Sequence, residues 1–122
     1  MARKPSRDEV ELATAAVRRG IGRLVALLGD ADRAVIDRAS LALGGLGAAA
    51  IVGPLAAALP QAPSPRHRLA IMGALLAIGA EERAAVTRAL GEAVRRERDP
   101  HVRLRAQAAL TSLILSSMAP TA

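Results

Sequence analysis

The 122-residue chain contains no Phe, Tyr or Trp and no Cys. Without Cys, disulfides and thiolate metal sites are excluded. Without aromatics, a core must be built from Ala, Leu, Ile, Val and Met. Such small side chains fill space only where backbones approach closely, which suits packed helices better than a sandwich or barrel. The same absence removes any stacking platform for single-stranded nucleic acid and any ring to trap a flipped base. Lysine is also scarce: one Lys stands beside sixteen Arg, and with eleven acids the net charge is +6. That balance suits nucleic acid, an acidic protein or an anionic surface. Arg usage beside abundant Ala and Gly also fits a GC-rich genome.

Charge is missing altogether from Ala39 to Pro65, a run long enough to span a bilayer. Its Ala and Gly carry little transfer energy, however. Gly44, Gly45, Gly47 and the pair Gly53-Pro54 read as punctuation between two shorter helices, so no membrane span is expected. The start, "MARKPSRDEVEL", has no apolar run of signal-peptide length, and a cytoplasmic location is expected.

What is present is helical. A chain of this length forms one domain, residues 1–122, and buries roughly two-thirds of its unfolded surface. Ser6 and Glu9 have capping-box spacing and open a helix over about residues 6–19. Gly20 and Gly22 then read as an interruption before a short helix in "RLVALLG". Three helix starts follow at Asp32, Ser64 and Asp99, 32 and 35 residues apart. Each offers a side-chain oxygen to the free N–H groups of a first turn. Pro65 and Pro100 stand at the first helical position, where a missing N–H costs nothing. Downstream, Val35, His67 and Val102 are equivalent, as are Ala39, Ile71 and Ala106, then Leu43, Leu75 and Leu110, then Gly47, Gly79 and Ile114. Spacings of four describe one apolar stripe. The unit is a helix, a short loop and a capped helix, with copies at about residues 21–47, 48–80 and 81–117. No single copy can bury its apolar faces, so neighbours must stack.

These residues resemble a HEAT repeat, particularly the short type of the phycobilin lyases. The likeness lies in the loop of Asp30 and Asp32, then Val35, Ala39, Ala42-Leu43 and Gly47, and again in Asp99, Pro100, Val102 and Arg103. It covers roughly residues 22–116; the second copy departs from it at Ser64 and His67. The resemblance implies an all-α fold, a right-handed α-solenoid (superhelix) of about three helical hairpins plus an N-terminal helix. It also implies a binding role on the concave or edge surface, without fixing one activity. The family's members include adaptors, transport factors, lyases, a hydroxylase and glycosylases.

No catalytic, cofactor or metal site is expected. Neither His67 nor His101 precedes a Glu, and the two are not equivalent positions in the repeat. Glu92 has the four-residue spacing of solvated helix pairs with Arg88 and Arg96. No Ser or Thr joins a His and an acid. The remaining feature is an arginine edge: Arg95, Arg96, Arg98, Arg103 and Arg105, with Arg66 and Arg68 on the matching turn one repeat earlier. Its functional reading is a ridge that binds a protein partner, acidic in character. The alternatives are contact with a nucleic-acid phosphate backbone and, third, a lyase- or hydroxylase-like activity. Its structural reading is a ladder in which Arg side chains bond cap residues such as Asp32 and Asp99 of a neighbouring repeat. In "LTSLILSS", Leu113 and Leu115 form a candidate self-association surface through which two copies would pair.

Overall fold

The computed structural model describes residues 6–118. Among them are six α-helices and no strand: α1 (Arg7–Leu27), α2 (Arg33–Leu46), α3 (Ala48–Ala58), α4 (Pro65–Ala77), α5 (Arg83–Arg96) and α6 (Pro100–Met118). A 3-10 turn, Leu59–Gln61, tightens the end of α3. Helix α1 packs on α2 and α3, α3 on α4 and α5, and α6 on both α5 and α4. Each hairpin therefore rests on the next in chain order.

All three helix starts form as their residues dictate. Asp32 accepts from the Ala34 N–H, Ser64 from the His67 N–H, and Asp99 from the N–H groups of His101 and Val102. The capping box of Ser6 and Glu9 also forms. The apolar stripes run inward from these starts. Ala39 and Leu43, Ile71 and Leu75, and Val102 and Ala106 are all buried. In α6 the stripe then shifts: Leu110 is only partly buried, Leu113 joins the core and Ile114 is exposed.

The glycine readings need two corrections. Helix α1 passes through Gly20 and Gly22 without a break, so the separate helix expected over 6–19 is the first part of α1. Two interior glycines cost only about 1 kcal/mol each relative to Ala. Burial of Ile21 between them, and of Val25 and Leu28 just beyond, anchors the continuation. The second correction concerns Gly53-Pro54, which lies inside α3 rather than at a boundary. Gly53 has no Cβ to collide with the proline ring, which lets the helix tolerate one missing N–H. The break falls at Gly47 alone, where φ is +91°, a region that disfavours any side chain. Consistent with that break, among the described residues no helix is long and apolar enough to cross a membrane.

His67 occupies a position filled by Val in the other two copies, and its ring does different work. Nε2 lies 3.0 Å from the Val25 carbonyl oxygen near the end of α1, 42 residues away. Gly29 makes room for it: a Cβ there would sit 2.7 Å from the ring's Cγ and Nδ1. Gly29→Ala should therefore destabilise the fold by about 1–3 kcal/mol, the range for overpacking. Urea unfolding followed by circular dichroism measures it.

Candidate functional site

The loop before α6 is organised by Glu97. Arg68, in the first turn of α4, donates from Nε to Glu97 Oε2 at 2.7 Å and from Nη2 to Oε1 at 3.0 Å. Its third nitrogen, Nη1, donates to the Ala62 carbonyl at 3.0 Å. The pair is bidentate and largely removed from water, with side-chain exposures of 20% for Arg68 and 7% for Glu97. Burial pushes the Glu97 pKa up, but the bonds from Arg68 and from the Asp99 N–H outweigh it. The carboxyl is thus held below its usual range.

A sign follows for acid stability. A carboxyl depressed in the folded state contributes stability that is present above the ordinary glutamate range and lost as pH falls through the folded value. The melting temperature should therefore drop on acidification below that range. Glu97→Gln should show a shallower drop than the parent chain in parallel thermal melts.

The rung has a simple repeat logic. Glu97 stands two residues before the cap Asp99, as Asp30 stands two before Asp32. Each acid accepts from the backbone N–H of its cap, at 3.1 Å and 2.8 Å. The middle copy has Ala62 at this place, and Ile36 is the first copy's equivalent of Arg68. Ala62 is buried and Ile36 is packed against the core. The same pair of positions is thus apolar in one junction's residues and ionic in the next.

The ladder reading of the arginines holds for Arg68, with Glu97 rather than a cap Asp as acceptor. Arg103 has only a long contact, 3.4 Å from Nη1 to the Glu97 carbonyl. Arg95 and Arg96 both lie on Glu92, at 2.6 Å and 3.1 Å, and Arg88 does not join them. The hydrogen bond from Arg95, with the charges of both arginines, lowers the Glu92 pKa. Arg66, Arg98 and Arg105 are exposed and make no hydrogen bond or ion pair among the described residues. Because Arg68 ties the start of α4 to the loop before α6, the start of α4, the end of α5 and the start of α6 share one end of the molecule. The expected ridge thus divides into one structural arginine, two that share a glutamate, Arg103 with its one long contact, and three whose donors face water.

Beside this edge a groove of about 820 Å³ runs between α3 and α5. Val52, Ala56, Leu59, Ala85 and Ala89 are among its apolar lining, while Arg88, Arg96 and Arg98 stand along it. From sequence, Arg88 is expected only to pair with Glu92, which it does not do, and Glu97 has no assigned role. The Glu97 role has a signal in the acid-x-Asp recurrence; that of Arg88 depends on which face of α5 meets α3.

The C-terminal surface is revised. Leu113 is 5% exposed, and its Cδ1 lies where a Cβ on Gly79 would stand, at 2.8 Å. Arg83 further bonds the Leu113 carbonyl at 2.8 Å. Leu113 is therefore core and unavailable for pairing. Leu115 is 61% exposed and shares a shallow depression with Leu104, Ala108 and Thr111 on the outer face of α6. Among the described residues, no three His, Cys, Asp or Glu side chains are grouped to hold a metal ion.

Helical hairpins with repeated capped starts, inward stripes and a polar rung between successive copies define a helical-repeat protein. A family model of HEAT repeats matches residues 21–111, and the chain belongs to that family. No curated protein and no solved structure matches it.

Proposed function

We propose that the chain is a protein-interaction scaffold, without catalytic activity, whose arginine edge binds an acidic partner. The observation that supports this is the division of the edge. Arg68 is consumed by Glu97, whereas Arg66, Arg98, Arg103 and Arg105 project from the same end with little or no intramolecular pairing. Guanidinium groups with free donors are suited to bidentate capture of carboxylates. HEAT repeats commonly serve as interaction scaffolds, which fits this reading. In it the hairpins follow a right-handed superhelical path of the short-repeat type. Two copies pair through the α6 face that carries Leu104 and Leu115, and the chain works in the cytoplasm.

The test is charge reversal where it leaves the frame intact. The triple variant Arg98→Glu, Arg103→Glu, Arg105→Glu should keep its helicity and melting temperature. It should also lose capture of the acidic partner that the parent chain retains from a lysate at low salt. Retained capture by the folded variant would remove the edge from the account. Salt-sensitive binding to duplex DNA in place of a protein would favour the phosphate reading instead.

A further inference from the structure

We infer that the groove between α3 and α5 is a peptide-binding site for a short acidic segment. That segment carries one bulky apolar side chain between two carboxylates. This deepens the protein-binding reading above and rests on it.

Three observations converge. The groove floor is apolar and built of small residues: Ala56, Ala85 and Ala89 leave the volume that larger side chains would fill. Its two acids are already occupied, Glu97 by Arg68 and Glu92 by Arg95 and Arg96. Arg88 and Arg98, by contrast, line the groove with no partner among the described residues. An apolar occupant with negative groups therefore meets complementary charge, whereas a cationic one meets only neutralised carboxylates.

The spacing of the two free arginines sets the spacing of the ligand's acids. Arg88 and Arg98 are ten residues apart, the first eight of them covering about 12 Å along α5 to its end at Arg96. An extended peptide advances about 3.3 Å per residue, so carboxylates four residues apart cover about 13 Å. The residue midway between them falls at the level of Ala93 on α5, part of the groove's apolar lining. The inferred pattern is acid, any residue, large apolar residue, any residue, acid.

The chain's lack of aromatics makes the test direct, because a tryptophan in the ligand is then the only indole in the sample. The probe is acetyl-Glu-Ala-Trp-Ala-Glu-amide, titrated with the full chain at low salt. The expected result is a blue shift of indole emission with a rise in anisotropy. Affinity should fall about tenfold or more when Gln replaces both Glu residues, and by a similar factor in Arg88→Glu. Ala56→Gln, a good helix former placed in the groove, should abolish the blue shift while circular dichroism stays unchanged.

Other outcomes separate the two readings. If anisotropy rises without a blue shift, and is lost in the Arg98, Arg103, Arg105 triple variant but not in Ala56→Gln, the edge binds acids and the groove inference fails. Absence of any binding overturns the groove inference, and the lysate capture then decides the edge reading separately. Equal binding of the Glu and Gln peptides removes the charge match on which the inference stands.

Discussion

Arg68→Ala should destabilise the protein by about 3 kcal/mol, the lower end for removing one partner of a buried ion pair. At this chain length that corresponds to a fall in melting temperature of about 10 °C. The effect is large because three acceptors lose their donors together: both Glu97 oxygens and the Ala62 carbonyl. Glu97, whose side chain is 7% exposed in the intact pair, would then be left without its counter-charge. Surface pairs such as Arg7 with Glu11 and Arg33 with Asp37 provide the contrast, and Arg7→Ala or Arg33→Ala should cost about 0.5 kcal/mol or less. The repeat itself suggests a compensated variant. Arg68→Ile with Glu97→Ala copies the apolar choice seen at Ile36 and Ala62, and should be more stable than Arg68→Ala alone. Replacing both members of a buried pair by apolar groups leaves no charge stranded. Chemical denaturation of the three proteins in parallel measures the series.

The second large effect lies in the core. Leu75→Ala should destabilise by about 3–5 kcal/mol, since Leu75 is fully buried and α4 packs on α3, α5 and α6. The core has no aromatic ring that could tilt into the space left behind. Its neighbours Ile71 and Met72 are themselves buried, so collapse is limited and a cavity persists. Leu41→Ala removes the same atoms from a side chain 80% exposed on α2, and should change stability by about 0.5 kcal/mol or less. The contrast between the two variants distinguishes loss of packing from loss of helix propensity, because both substitutions place Ala in a helix interior. Thermal or urea unfolding reports both.

Much of the fold was legible in the residues. The starts at Asp32, Ser64 and Asp99 depend on local backbone chemistry, which sequence states directly. The inward stripes depend on helical period, and they hold until α6. There the contact of Leu113 with Gly79, in the turn after α4, moves the stripe by one residue, and one helix's own period does not state it. The glycines were misread for a related reason. Gly20, Gly22 and Gly53 are weak penalties that burial further along the helix overcomes, whereas Gly47 alone adopts a backbone that demands glycine. At the candidate site, the residue list located the edge but not its internal division. Which arginine is spent on structure depends on Glu97, a side chain 29 residues from Arg68 in the chain. The groove was invisible for the same reason, because its walls come from α3 and α5 of successive hairpins.

One arginine holds two hairpins together while its neighbours stay open to solvent. Nuclear magnetic resonance of the guanidinium Nε–H groups in the unmodified chain tests this most directly. Hydrogen exchange at Arg68 should be strongly slowed, while Arg66, Arg98 and Arg105 exchange at the rate of a solvated side chain. Exchange at Arg68 as fast as at those three would contradict it.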